Sequence, residues 1–197
     1  MYCRVSPQAA AVRQADLAFD AVSLHAPTTA AKPDEIVEYW AMAHAVFDKH
    51  VSSKYPVLMG ADINGRLGSI VDEAVGDHMA DEEDQSGSAF RKLVQKIGNV
   101  VLNTMPCAAG TQAYTWLSNS GSKHRIDFVS VPADAYDEAA NTWVDTQIDI
   151  ATVKRDHFPV CANFRLRMET EEALVRVKRP ICDVNALRDN KDWTLVQ

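Results

Sequence analysis

The amino-acid sequence predicts a layered α/β sandwich formed by one domain. Three observations favour it: short apolar runs with strand-like alternation, two helical segments among them, and a series of strands in the second half. The 197 residues, 47% hydrophobic and 24% charged, are typical of a globular protein with its own core. We predict a domain over residues 1–166 and a polar tail or linker over 167–197, with no internal repeat.

The first half of the chain is predicted to alternate strands and helices. Residues 17–24 alternate between apolar and polar positions and predict a strand, with no earlier strand expected to pair with it. Residues 33–51 have apolar side chains at helical spacing on one face, and Pro33 suits the first turn of a helix. Residues 55–60, YPVLMG, predict a short strand that is buried on both faces.

The second half is predicted to contain one helix and a run of strands. Residues 70–87 are acidic and predict a solvated loop. The helix is predicted over residues 88–97, because its apolar positions share one face and Gly98 is a typical stop signal. Further strands are predicted at residues 100–103, 113–117, 125–131 and 158–166.

Charge and cysteine content exclude some classes of protein. The net charge of −7 argues against coating of nucleic acid through bulk positive charge, but not against an enzyme that meets one phosphate through a metal ion. No apolar run reaches the ~20 residues that span a membrane, and the start lacks a secretory leader, so we expect a nuclear or cytoplasmic protein without a membrane partner. No CxxC pair occurs, and we expect four reduced thiols: Cys3, Cys107, Cys161 and Cys182.

The stretch VLMGADINGRLGS, residues 57–69, is open to three interpretations. A phosphate-binding P-loop would need a lysine and a hydroxyl residue where Arg66 and Leu67 stand. An EF-hand calcium loop would need glycine in place of Leu67 and a helix before it. The third interpretation puts Asp62 and Asn64 at the carboxyl end of a strand, where residues i and i+2 point the same way.

The third interpretation gives these two residues a possible chemistry. The carboxylate of Asp62 can hold a metal or orient water, and the amide of Asn64 can donate to a phosphoryl oxygen. The alternative is that both residues only form turn hydrogen bonds, as aspartate and asparagine commonly do.

Three further stretches contain candidate site residues. Asp127 lies in an apolar strand, where a lone carboxylate is costly, so it should have a partner. Asp156 and His157 adjoin one another before the last predicted strand and can combine metal ligation with proton or phosphate handling. His25 ends the first predicted strand. For either histidine alone, a structural role remains the alternative.

In chain order, SLHAP, MGADIN, TW with HRIDFVSV, and RDHFPV resemble motifs of the endonuclease/exonuclease/phosphatase superfamily, over about residues 15–166. That superfamily includes pancreatic-type deoxyribonucleases, abasic-site nucleases, inositol polyphosphate phosphatases and the endonucleases of non-LTR retrotransposons. The resemblance implies a four-layer α/β sandwich. It also implies a phosphodiester hydrolase that uses Mg²⁺ or Mn²⁺, with DNA as the expected nucleic-acid substrate.

The resemblance implies a role for each matching position. Asp62 matches an aspartate that binds metal or orients the attacking water, and Asn64 matches an asparagine that stabilises the transition state. Asp127 matches the aspartate that orients the catalytic histidine, here His157. The sequence leaves open whether Asp62 or His157 takes the proton from water. Two further matches are a metal ligand and a phosphate-binding or acid histidine: Asp156 and His25.

The sequence also departs from the family pattern. Family members begin with two strands that carry an asparagine and a metal-binding glutamate, and this chain begins after both, so the implied domain is amino-terminally truncated, with open sheet edges. Arg155 stands where the family has a small serine. The segment 178–190 and the acidic insertion after Asn64 favour a retroelement-derived fragment. Two alternatives stay open: a non-catalytic remnant or interaction protein, and a phosphatase of the same superfamily.

Overall fold

A computed structural model describes residues 2–5 (backbone only), 19–51, 55–108, 112–137, 140–148 and 156–165. Their mixture of helices and strands confirms the predicted α/β class. The α-helices are α1 (Pro33–His50) and α2 (Gln85–Lys96), and short 3₁₀ helices cover Leu102–Thr104, Pro106–Ala108 and Ala133–Ala135. The strands are β1 (Tyr2–Val5), β2 (Phe19–His25), β3 (Val57–Asp62), β4 (Asn99–Val101), β5 (Trp116–Leu117), β6 (Lys123–His124), β7 (Asp127–Pro132), β8 (Asn141–Val144) and β9 (Val160–Asn163).

Five strands form the main sheet, in the order β1-β2-β3-β7-β4. Strands β2 and β3 are parallel and are connected through α1, whereas β7 runs antiparallel to β3. The register pairs His25 of β2 with Asp62 of β3, and Asp62 with Asp127 of β7. These three residues therefore lie side by side at one end of the sheet, although they are far apart in the chain.

The two α-helices cover one face of the main sheet and form the larger core with it. The ring centroid of Trp40 lies 6.2 Å from that of Phe90 in α2, and Phe90 lies 5.8 Å from Phe128 of β7. Aromatic contacts thus connect both helices to the strand that carries Asp127. The buried positions of α1 recur at the predicted helical spacing: Ile36, Trp40, Ala43 and Phe47.

The opposite face of the main sheet meets the antiparallel ribbon of β8 and β9. A smaller apolar core lies there, and its buried members come from β4, β7 and the segments that follow them: Val100, Leu102, Met105, Val131, Ala135 and Ala140. The ribbon matters for the site, because His157 lies directly before β9 and is positioned with it.

The expectation that the first strand has no earlier partner is wrong. Strand β1 pairs antiparallel with β2, from Tyr2 opposite Val22 to Val5 opposite Phe19. A four-residue segment is too short to show a hydrophobic period, which is why the sequence alone did not reveal it. Strand β2 consequently has a neighbour on each side.

The acidic segment 70–87 differs from the solvated loop that was predicted. Helix α2 begins at Gln85, earlier than the predicted start at residue 88, because the side chain of Asp84 caps it by accepting the N–H of Gly87 at 3.0 Å. Within the segment, Ala74 and Val75 are buried in the larger core.

Acidic side chains of the same segment also fasten it to helix α2. Arg91 donates from Nε to a carboxylate oxygen of Glu83 at 3.0 Å and from Nη1 to Asp72 at 3.3 Å. A charge run that predicts a solvated loop can therefore contain ion pairs that order it, and one sequence does not show which charges are paired.

The later strands are shorter than predicted. The strands expected at 113–117 and 158–166 are reduced to β5 and β9, while β6 and β8 were not predicted. The tail at 167–197 lies outside the described residues, so the domain division stays a prediction. Within the described part of the chain, no helix combines the length and apolar composition that a membrane span requires.

Candidate active site

The end of the main sheet brings two carboxylates and an imidazole together. Ligand atoms of Asp62, Asp127 and His157 all lie within 4.8 Å of one another. Among the residues that the structure describes, this is the one group of three or more such side chains that could hold a metal ion. The register of β3 and β7 places the two aspartates, and the segment before β9 adds the histidine.

The backbone around His157 is anchored to the chain around β5. Phe158 donates its N–H to the carbonyl of Thr115 at 2.7 Å, and Leu117 donates to the carbonyl of Asp156 at 2.8 Å. These two bonds flank His157 and limit how far its backbone can move.

The ring of His157 is oriented by Asp127. Its Nδ1 lies 3.1 Å from Oδ2 and 3.3 Å from Oδ1 of this carboxylate. An ionised carboxylate only accepts hydrogen bonds, so Nδ1 carries the proton and donates. The other ring nitrogen, Nε2, then has a lone pair when the ring is neutral.

Thr115 holds Asp127; the sequence marked it as part of the TW motif but gave it no role. Its buried hydroxyl oxygen accepts the backbone N–H groups of Ile126 and Asp127 at 3.1 and 3.0 Å, and the side chain also hydrogen-bonds the carboxylate of Asp127. Burial raises the pKa of Asp127, which the hydrogen bond from Thr115 opposes and the charge of Asp62 reinforces. The TW motif was the signal for Thr115, but one sequence does not show which backbone groups its hydroxyl binds.

Asp62 and Asn64 are related differently from the extended geometry that was expected. Strand β3 ends at Asp62, and Asn64 has a left-handed backbone with φ of 47°. The N–H of Asn64 donates to Oδ1 of Asp62 at 3.0 Å, and its side-chain Nδ2 donates to the carbonyl of Ala26 at 2.8 Å. These are the turn hydrogen bonds named as the alternative, and they tie the ends of β2 and β3 together.

His25 lies on the other side of Asp62. Its Nε2 is 3.5 Å from Oδ2 of Asp62, and its side chain is 77% exposed, so a substrate can reach it. Tyr39 of α1, which the sequence did not single out, hydrogen-bonds the backbone of His25. Burial raises the pKa of Tyr39, and the charge of Asp62 raises it too, so its hydroxyl stays neutral.

Asp156 adjoins His157 but is not part of the converging group, which consists of Asp62, Asp127 and His157. Its backbone carbonyl accepts the bond from Leu117. A role for Asp156 as metal ligand therefore stays a prediction. Arg155, which replaces the serine of the family pattern, lies outside the described residues.

The donor set fits a hard divalent cation. Carboxylate oxygens are the ligands that Mg²⁺ and Mn²⁺ prefer, and Mg²⁺ commonly takes one or two of them and completes its shell with water and phosphate. Asp62 is the better candidate ligand, because the carboxylate of Asp127 is engaged by His157 and Thr115.

Comparison with known proteins gives fold-level similarity. No protein-family model and no curated protein matches the chain. Among solved structures, the 3'-5' exonuclease NExo of Neisseria meningitidis superposes with a TM-score of 0.51 at 19% identity, covering 76% of this chain and 62% of that one. A mannosyl-6-phosphatase of Bacteroides thetaiotaomicron superposes with a TM-score of 0.46 at 18% identity, covering 77% and 52%. A 3' phosphatase NExo of Neisseria, bound to product DNA hairpin, gives 0.43 at 18%, covering 68% and 56%.

The similarity to the exonuclease NExo establishes the fold. The chain has the α/β fold of NExo, in agreement with the deoxyribonuclease-like α/β sandwich that the motif resemblance predicted. It spans less than two thirds of the length of the solved structures to which it is similar.

Proposed function

We propose that this protein is a metal-dependent phosphodiester hydrolase that cuts DNA internally. The observation that carries the proposal is the convergence of Asp62, Asp127 and His157 within 4.8 Å, with the ring of His157 oriented by a carboxylate. Phosphodiester hydrolysis requires an activated water, neutralised charge on the phosphoryl oxygens and a stabilised leaving alkoxide. The three groups are suited to these tasks.

In the proposed reaction, Asp62 holds a divalent cation, with Asp156 as a further proposed ligand. When bound, the cation neutralises charge on the scissile phosphate and on the departing oxygen. His157 donates from Nδ1 to Asp127, so its Nε2 is the nitrogen that takes the proton from the attacking water. Asp127 stabilises the imidazolium that forms.

His25 and Asn64 complete the proposal. The imidazole of His25, beside Asp62 and largely exposed, binds a phosphoryl oxygen or protonates the leaving group. Asn64 holds the ends of β2 and β3 in place and, through its remaining amide hydrogen, stabilises charge in the transition state.

The choice of DNA as substrate is supported by sequence and fold. The histidine of SLHAP matches the deoxyribonuclease-like pattern, where abasic-site nucleases have tyrosine and asparagine. NExo, which has the same fold, is named a 3'-5' exonuclease, and we extend a nucleic-acid substrate to this chain. The retroelement origin is part of the proposal and is supported by the acidic insertion after Asn64 and the segment 178–190.

One observation favours the competing hypothesis of an inactive interaction protein. Of the two carboxylates in the converging group, Asp127 is committed to His157 and Thr115. Asp62, whose Oδ1 accepts the N–H of Asn64, is then the one carboxylate of that group that His157 does not engage, which is few for a catalytic metal site.

Nicking of supercoiled plasmid tests the proposal. We expect nicking with Mg²⁺ that stops with chelator and is lost in His157→Ala. His50→Ala, at the exposed end of α1, is the control and should keep full activity. Absence of nicking from a folded sample would refute the nuclease, and release of inorganic phosphate from a phosphomonoester instead would identify a phosphatase.

A further inference from the structure

Strand β4 pairs with only part of β7 and ends before it reaches Asp127. The last residue pair between them is Val101 opposite Ser130, after which the chain turns into the 3₁₀ helix Leu102–Thr104. From Val129 to Asp127, one edge of β7 therefore continues beyond its neighbouring strand. Unpaired backbone groups at such an edge are costly when buried.

The side chain of Asn103 takes the place of the missing strand. Its Oδ1 accepts the N–H of Val129 at 3.2 Å, and its Nδ2 donates to the carbonyl of Asp127 at 2.9 Å. One amide group thus supplies both an acceptor and a donor to β7, as the backbone of a paired strand would. Asn103 is 6% exposed, so water competes little for these bonds.

Asn103 is itself held by a buried cation. Arg125 donates from Nη1 to the backbone carbonyl of Asn103 at 2.8 Å and to that of His78 at 2.7 Å. Arg125 is 4% exposed, and the bonds fix the backbone from which the amide of Asn103 extends.

The two backbone groups of Asp127 are consequently held from different residues. Thr115 accepts its N–H at 3.0 Å, and Asn103 binds its carbonyl at 2.9 Å. Because its backbone is held in this way, the carboxylate of Asp127 stays at the position where it lies 3.1 Å from Nδ1 of His157.

We propose that Asn103 is a positioning residue that keeps Asp127 within hydrogen-bond distance of His157. The effect on rate rests on the proposed function, whereas the effect on the ring of His157 does not. Displacement of a catalytic group by an ångström can cost on the order of a hundredfold in rate, so a residue behind the site can matter.

Strand β4 offers a matched control. Asn99 is also a buried asparagine, 3% exposed, and its Nδ2 donates to the carbonyl of Val57 at 2.9 Å and to Ser130 Oγ at 3.2 Å. It lies opposite Pro132, at the end of β7 away from Asp127. Asn99→Ala should therefore lower the free energy of unfolding without changing the position of Asp127.

The test measures the tautomer of His157 by ¹⁵N NMR at one fixed pH at which the ring is neutral, with resonances assigned through His157→Ala. We expect the Nδ1-protonated form in the wild type and in Asn99→Ala, and a mixture of tautomers in Asn103→Ala.

In plasmid nicking, Asn103→Ala should lose about tenfold or more in kcat with little change in KM. Asn99→Ala should keep both kcat and KM.

The outcomes separate the two proposals. An unchanged tautomer in a folded Asn103→Ala protein overturns the positioning role, as does an equal change in Asn99→Ala. A changed tautomer together with an inactive wild type supports the positioning role and refutes the nuclease. If Asn103→Ala does not fold, Asn103→Asp serves instead, because it keeps the acceptor for Val129 and loses the donor to Asp127; there too, an unchanged tautomer overturns the role.

Discussion

Nδ1 of His157 lies 3.1 Å from Oδ2 of Asp127, and the two residues are 30 positions apart in the chain. The pair joins the end of β7 to the segment before β9, and hence the main sheet to the ribbon. It also fixes which ring nitrogen carries a proton, which is the property that a proton-transfer role would need.

Asp127→Asn should reduce activity strongly without removing the fold. Asparagine has nearly the same shape, but it is a poorer acceptor for Nδ1–H and does not stabilise an imidazolium. We expect a fall in kcat on the order of 10²–10⁴-fold, the range for general acid–base catalysis, in steady-state nicking assays. Asp134→Asn, at an exposed position in a 3₁₀ helix, is the control. Activity of Asp127→Asn equal to that of the control would contradict the role assigned to the pair.

The same variant should show a characteristic dependence of stability on pH. Burial raises the pKa of Asp127 in the folded protein, so its folded pKa exceeds its unfolded pKa. Its contribution to stability is complete below the unfolded pKa and is lost as pH rises through the folded pKa. Asp127→Asn does not ionise at this position. Its Tm should therefore rise relative to that of the wild type as the pH increases from the unfolded pKa of Asp127 to the folded pKa.

Thermal unfolding without metal, at a series of pH values from about 3 to 8, measures this difference in Tm. Asp134→Asn again provides the baseline. A difference that stays constant over the series would show that the carboxyl of Asp127 titrates alike in the folded and unfolded states.

Sequence reasoning located the elements with strong patterns and the side chains with evident chemistry. The apolar face of α1 and the strand ending at Asp62 could be predicted, because burial and periodicity are local properties. Asp127 was expected to need a partner, since a carboxylate among apolar neighbours is costly, and the structure gives it His157 and Thr115.

The rest depends on contacts that one sequence does not display. Thr115, although part of the TW motif, and Asn103 act through hydrogen bonds to backbone groups of distant residues, and one sequence does not show those bonds. The side-by-side arrangement of His25, Asp62 and Asp127 depends on sheet register. Strand β1 was missed because four residues carry too little periodicity.

Metal affinity should depend on Asp62 more than on Asp156. Asp62 belongs to the group whose ligand atoms converge within 4.8 Å, and Asp156 does not. Titration calorimetry with Mn²⁺ should show weaker binding in Asp62→Asn, by about tenfold or more if the carboxylate is a direct ligand. Asp156→Asn should have the smaller effect. A larger effect at Asp156 would contradict the assignment of Asp62 as the main ligand.

Arg125 should be among the most costly residues to replace. Its guanidinium donates to the carbonyls of Asn103, His78 and Met79 at 2.8, 2.7 and 3.0 Å, and burial lowers its pKa to about 10, so it remains charged at neutral pH. Arg125→Gln should lower the free energy of unfolding by about 3 kcal/mol or more, because several buried acceptors lose their donor.

Denaturant unfolding of Arg125→Gln, beside Arg66→Gln as control, measures that loss. Arg66 is exposed, and its Nε lies 3.8 Å from Asp84, so its replacement should change stability by less than about 1 kcal/mol. Equal losses in the two variants would show that the carbonyl contacts of Arg125 contribute little.

Two glycines should respond in opposite ways to the addition of one methyl group. At Gly87, in the first turn of α2, a Cβ would lie 1.9 Å from the backbone carbonyl oxygen of Arg66. At Gly60, in the middle of β3, a Cβ would meet nothing within 4 Å.

Gly87→Ala should therefore lower the free energy of unfolding by about 1–3 kcal/mol through overpacking. Gly60→Ala should leave it unchanged or raise it by up to about 1 kcal/mol, because alanine has less freedom to lose on folding. Denaturant unfolding distinguishes the two, and a stable Gly87→Ala protein would mean that α2 does not pack directly on the chain that leaves Asp62.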